Sequence, residues 1–134
     1  MKPILDVRLT SDFDSMEQVD RIVDELTRTQ GLSEESNGAL LLSLSEAITN
    51  AIMHGNKQDP SKWVHVRAVR VGDDLEVTVE DEGDGFNPDM IPSPVESENL
   101  LRQGGRGVYL MRMYCKDVRF SNGGRALTLV LGIP

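Results

Sequence analysis

Long hydrophobic runs are missing from this chain: nothing in its 134 residues approaches the ~20 consecutive apolar residues that cross a bilayer. The opening stretch MKPILDVRLT lacks the apolar segment and the small-residue cleavage site of a secretory leader, so a cytoplasmic location is the expectation. Cysteine is nearly absent. Cys115 alone excludes an internal disulfide and any metal site built from several cysteines, and its place in the apolar run GVYLMRMYC suits buried packing. Positive charge is in deficit as well: 14 Lys and Arg against 22 Asp and Glu leave a net charge of −8. Nucleic-acid surfaces need clustered Lys and Arg to neutralise phosphates, so that class of partner is disfavoured. An anionic small ligand would need a metal ion and local backbone dipoles to compensate. Repeats, low-complexity tracts and linkers are also lacking, and the expectation is one domain over 1–134 with a single continuous core.

What is present reads as alternating structure. ILDVRLT (4–10) alternates as a strand. DSMEQVDRIVDELTRTQ (14–30) sets Met16, Val19, Ile22, Val23 and Leu26 at helical spacing, and Gly31 stops it. Ser33 is a natural N-cap, followed by acids that suit the positive end of a second helix running to about His54, with HGN as its C-terminal punctuation. WVHVRAVRV (63–71) and LEVTVEDEG (75–83) flank a short Gly/Asp turn, a hairpin pattern. Residues 84–103 hold three prolines and no periodicity. A loop that long inside a compact domain is usually functional or disordered. A third helix is predicted from GGRG through VYLMRMYC, then a hairpin DVRFS–NGG–ALTLVLGI. The order β-α-α-β-β-loop-α-β-β predicts an α+β fold: a two-layer sandwich, its mixed, mostly antiparallel sheet carrying helices on one face.

Three stretches carry chemistry. In LSLSEAITNAIMHGN (42–56), Glu46 and Asn50 lie one turn apart on one helix face amid apolar residues. Asn is a poor helix former, and burying either group unpaired costs several kcal/mol. A plain solvent stripe through Ser43, Glu46, Asn50 and Lys57 is the alternative. In EDEGDGF, Asp81 ends a strand and glycines follow at spacing two. Glycine lets a ligand approach the backbone, and a carboxylate, which only accepts hydrogen bonds, suits an adenine amino group and rejects guanine's carbonyl. An ordinary turn explains the same residues, whereas a calcium loop would need further acids. In RQGGRGVYLM, a glycine-rich turn feeds a helix N-terminus whose free N–H groups favour phosphates, with Arg106 and Arg102 adding charge. It is neither a Walker A loop nor a Rossmann fingerprint.

In order and spacing the three stretches resemble the histidine-kinase-like (GHKL) ATPase domain, and more narrowly the bacterial anti-sigma-factor serine/threonine kinases. EAITNAIMHGN is similar to their N box, DEGDGF to the first glycine box and GGRGVYLM to the second, and the likeness runs over nearly the whole chain. The resemblance implies a Bergerat-type sandwich that binds ATP and Mg²⁺. Carried over by position, Glu46 would polarise the attacking hydroxyl, Asn50 would ligate Mg²⁺, and His54 would line the phosphate side or cap the helix. Asp81 would take the adenine amino group with Gly83 and Gly85 beside it. Gly104, Gly105, Arg106 and Gly107 would cradle phosphates, and residues 87–103 would form the ATP lid. Two departures stand out: Arg125 and Ala126 occupy the neighbourhood where relatives place Ser or Thr near adenine, and the lid arginine has only Arg102 as an offset counterpart.

The implied function is an ATP-dependent kinase acting on Ser or Thr of a small anti-anti-sigma (STAS-type) partner. Such proteins typically also hold a sigma factor, often as homodimers. The alternative is a non-catalytic nucleotide-binding regulatory module that sequesters a partner; the presence of Glu46 favours the enzyme. A histidine kinase is disfavoured, since the chain has no phosphoacceptor helical hairpin and its two histidines fall at the end of the N box (His54) and in a strand (His65).

Overall fold

The computed structural model describes residues 2–84 and 105–134, the side chains of 105 and 106 excepted. Among these residues five strands form one sheet in the order β1-β2-β3-β5-β4: β1 (Leu5–Thr10), β2 (Trp63–Val71), β3 (Asp74–Glu80), β4 (Asp117–Ser121) and β5 (Ala126–Gly132). All four pairings are antiparallel, so the parallel component allowed for in the sequence reading is absent from the described strands. Register places Leu5, Leu9, Val64, Val66, Ala68, Leu75, Val77, Val79, Leu129 and Leu131 on one face, all buried. The opposite face carries charge. Arg67 pairs with Glu80, Arg119 with Glu76 and Asp117, and His65 with Asp6, which fits a wetted surface and places His65 on a strand as expected.

Helices cover the apolar face. The first predicted helix begins with a 3-10 turn (Phe13–Met16) and continues as α1 (Glu17–Gln30), which buries Val19, Ile22, Val23 and Leu26. Gly31 ends it in the left-handed conformation (φ 69°), its N–H donating to the Thr27 carbonyl at 2.9 Å. Ser33 caps α2 (Glu34–Asn50) by accepting from the Ser36 N–H at 3.1 Å. Leu40, Leu44, Ile48 and Ile52 are fully buried, and α2 packs against α1, α3 (Gly105–Tyr114) and the sheet. The expectation of a helix running to His54 needs one correction. The α-helix ends at Asn50, and Ala51–Gly55 form a single π turn closed by the Asn56 N–H on the Ala51 carbonyl (2.7 Å). Such turns are rare and often sit at functional sites. The strand expected over 75–83 stops at Glu80, for a reason that lies in the side chain of Asn56. No described helix is long and apolar enough to cross a membrane.

Candidate functional site

Helix α3 runs back along α2. At one end the buried Cys115 thiol, just beyond α3, donates to the Ser43 hydroxyl (3.3 Å); at the other, Gly107 in the first turn of α3 lies against Glu46 and Asn50. A Cβ added at Gly107 would come within 2.7 Å of Glu46 Oε2 and 3.6 Å of Asn50 Nδ2. Glycine there lets the carboxylate end of Glu46 approach the helix backbone, and the first turn of α3, whose N–H groups lack intrahelical partners and whose dipole end is positive, lies against the two polar residues of α2. Both residues are half-buried, which argues against a freely solvated stripe. The resemblance set both stretches around one ATP; in the fold Gly107 lies directly against Glu46 and Asn50.

The π turn that continues α2 past Asn50 meets the turn that follows β3. A Cβ at Gly55 would lie 2.3 Å from both Cγ and Oδ2 of Asp81, and one at Gly83 would lie 2.1 Å from the Gly55 carbonyl oxygen. Neither glycine needs a positive φ; each is needed because two backbones and a carboxylate meet with no room for a side chain. Asp81 is held from two sides: its N–H donates to the Arg125 carbonyl (3.0 Å), and its Oδ1 accepts from the Gly83 N–H (2.8 Å). Burial pushes the Asp81 carboxyl above the ordinary carboxylate range, opposed by the Gly83 hydrogen bond and by the nearby Arg125 charge. A partly desolvated carboxylate at a glycine-lined approach suits recognition of a hydrogen-bond donor.

Glu46, Asn50, Asp81, Gly83 and Gly107 are thus gathered around the C-terminal end of α2 and the π turn that continues it. His54 is exposed in the π turn, and Gly105 opens α3 with Arg106 beside it. Gly85, Gly104, Arg102 and the stretch 87–103 lie outside the described residues. Sequence reasoning missed Gly55 and Asn56, which it read as helix punctuation. Gly55 lies inside the N-box-like stretch, but its requirement depends on Asp81, which is remote in sequence. Asn56 is 1% exposed and bonded to three separate segments. Among the described residues no buried side-chain nitrogen or oxygen is left without a partner.

A family model described as the histidine kinase-like ATPase domain matches residues 9–131. The chain is 39% identical over 89 residues to the serine-protein kinase RsbW of Bacillus subtilis (strain 168), an alignment covering 62% of this chain and 56% of that protein. It is 31% identical over 121 residues to the anti-sigma F factor of Heyndrickxia coagulans, covering 84% of this chain and 71% of that one. The chain spans only 56–62% of the length of the RsbW relatives it matches. A crystal structure of the RsbU and RsbW domains of a Mycobacterium tuberculosis protein superposes with a TM-score of 0.65 at 17% identity, over 98% of this chain and 31% of that one, a likeness of fold.

Proposed function

Because the chain belongs to the histidine kinase-like ATPase family, in the branch of the bacterial anti-sigma-factor kinases, we propose that it is an ATP-dependent serine/threonine protein kinase and anti-sigma factor. Its substrate is a hydroxyl on a small anti-anti-sigma (STAS-type) partner, and it holds a sigma factor in the alternate complex as a cytoplasmic homodimer. The observation that carries the reading is the convergence of Glu46 and Asn50 with the first turn of α3, while Asp81 stands against Gly55 just beyond the C-terminal end of the same helix.

In this reading Asp81, ionised, accepts a hydrogen bond from the adenine amino group and disfavours a carbonyl at the same place. The tight packing of Gly55 and Gly83 keeps its carboxylate from swinging away. The first turn of α3, with Gly104, Gly105, Arg106 and Gly107, receives phosphate charge through N–H groups and the helix dipole. Residues 87–103 serve as the lid of the one domain over 1–134, and His54 lines the phosphate side. Glu46 accepts the proton of the attacking hydroxyl as its oxygen bonds to the γ-phosphorus and the bond to the β-phosphate oxygen breaks, releasing ADP.

The donor set suits Mg²⁺. The Asn50 amide oxygen is a hard ligand beside a helix end that attracts phosphate, and Mg²⁺ usually takes few protein ligands alongside phosphates and water. Bound there, the ion would neutralise triphosphate charge and hold its orientation. Among the described residues no three His, Cys, Asp or Glu gather as a metal cage, and a single-amide site does not require one.

Incubation with γ-labelled ATP, magnesium and a STAS protein from the same genome tests the reading. The expected product is acid-stable, alkali-labile label on the partner, lost in Glu46→Ala while nucleotide binding persists. Wild-type transfer by Glu46→Ala would remove Glu46 from its role. Binding of nucleotide and partner with no transfer under any condition would leave only a sequestering module.

A further inference from the structure

The β2–β3 ladder ends early, and the residue responsible is neither on β2 nor on β3. Continued from His65 opposite Glu80, the register would set Trp63 opposite Glu82, with main-chain bonds exchanged between them. Instead the carboxamide of Asn56 is inserted at that position. Its Oδ1 accepts from the Glu82 N–H (2.7 Å), and its Nδ2 donates to the Trp63 carbonyl (3.0 Å) and to Ser11 Oγ (2.8 Å). The Trp63 N–H turns to the Glu82 carboxylate (2.5 Å), and Ser11 Oγ donates in turn to the Lys62 carbonyl (2.6 Å). One side chain thus stands in for the direct Glu82-to-Trp63 bond and keeps the two strands apart.

The backbone is contorted to put it there. After the π turn, Lys57 and Gln58 both adopt the left-handed conformation (φ 53° and 57°), which non-glycine residues disfavour. The Gln58 N–H reaches back to the Ile52 carbonyl (2.8 Å) and the Asp59 N–H to the Asn56 carbonyl (3.0 Å), which holds that conformation. Paired strained residues are tolerated only where the surroundings over-determine them. What the contortion achieves is a buried wedge one residue beyond Gly55, at the place where the chain of β3 leaves the sheet.

We infer that Asn56 is a positioning residue for base recognition. By splitting the ladder between Trp63 and Glu82 it directs the Asp81–Gly83 turn away from β2 and against Gly55, where the Asp81 carboxylate is fixed for the base. Without the wedge, the Glu82 N–H and the Trp63 carbonyl pair directly, the strands zip by one more pair, and Asp81 is drawn off its seat. The inference rests on Asp81 being the adenine acceptor, and it assigns to Asn56 the base selectivity of that contact, with no part in phosphate binding.

The test is calorimetric titration of the full chain with Mg-ATP and with Mg-GTP. The expected result for Asn56→Ala is an ATP-to-GTP affinity ratio lowered about tenfold, roughly the loss of one well-placed hydrogen bond, with GTP affinity changed less than about twofold. Asn56→Asp keeps the acceptor for the Glu82 N–H but sets a carboxylate oxygen against the Trp63 carbonyl in place of the donating amide, so it too is expected to lower the ratio, by at least about threefold. If Asn56→Ala does not fold, Ser11→Ala takes its place: it removes one acceptor of the Asn56 amide and should lower the ratio by about threefold. Folded variants that keep the wild-type ratio, or that lose both nucleotides equally, overturn the inference and leave the adenine assignment standing. A wild-type chain without preference for ATP overturns the adenine assignment, and the inference with it.

Discussion

Replacing Gly55 by alanine adds one methyl group at the tightest point of the site. The new Cβ would lie 2.3 Å from Cγ and Oδ2 of Asp81, where ordinary contact begins at 3.4 Å. About 1 Å of separation has to be created. The obstacle is a short side chain held by the Gly83 N–H and by a main chain anchored on the Arg125 carbonyl, so it cannot fold aside freely. Overpacking of this kind costs about 1–3 kcal/mol. Alanine's advantage over glycine in a helical turn returns up to ~1 kcal/mol. A net loss of about 1–2 kcal/mol should lower the melting temperature by several degrees, roughly 3–8 °C for a domain of this size. Displacement of Asp81 would also remove the charge-assisted hydrogen bond proposed for adenine, about 1.5–3 kcal/mol, or a 10- to 100-fold weaker ATP affinity. Thermal melts and a fluorescent-nucleotide competition titration read both quantities. Gly38→Ala on the exposed face of α2 is the internal control: nothing lies within 4 Å of its added Cβ, so it should gain up to ~1 kcal/mol and leave ATP affinity untouched. If Gly55→Ala melts as high as Gly38→Ala and binds ATP like the wild type, the close approach of Gly55 and Asp81 is refuted.

Other substitutions separate packing from chemistry. Gly107→Ala meets the far end of the Glu46 side chain, which can swing, so stability should change by less than ~1 kcal/mol while phosphoryl transfer falls steeply; equal transfer rates would contradict the contact. Asp81 carries a folded-state pKa above its unfolded one, so the folded chain binds this proton more tightly, and stability attributable to the group declines as pH rises from the unfolded value through the folded one. Asp81→Asn should therefore melt at or above the wild type near neutral pH, lose that pH-dependent component, and no longer prefer ATP over GTP; a lower melting temperature with preserved preference would show the sign to be wrong. Ser33→Ala removes the cap of α2 and should cost about 1 kcal/mol in chemical denaturation without altering nucleotide affinity. Burial raises the Cys115 thiol pKa against the Ser43 hydrogen bond, so a thiol reagent should label the native protein far more slowly than the unfolded one.

Elements whose signals are local were legible in the sequence. The apolar spacing of α1 and its stop at Gly31, the Ser33 cap, and the alternation of β2 and β3 around a tight turn are all set by residues within a few positions of one another. The candidate site was legible as types of residue: Glu46 and Asn50 on one helix face, Asp81 at a strand end, glycines nearby. Their grouping around one ligand came only through the family resemblance, and the contacts between them were not legible. That Gly55 must admit the Asp81 carboxylate, and that Gly107 meets Glu46, shows only in the fold, because those partners come from distant parts of the chain. The strand expected to reach 83 stops at Glu80 because a side chain from the helix end takes the Glu82 N–H, a competition that strand periodicity cannot register. The π turn escaped notice likewise, since its stretch carries the same apolar pattern as the α-helix before it.

The central claim is that the elements around α2 form one pocket for magnesium-loaded ATP. Isothermal titration of the full chain with Mg-ATP measures it directly. A saturable, single-site heat that weakens on removal of magnesium, persists in Glu46→Ala and collapses in Asp81→Ala is the outcome this account requires. Absence of any saturable binding at millimolar ATP, by a chain shown to be folded, would contradict it.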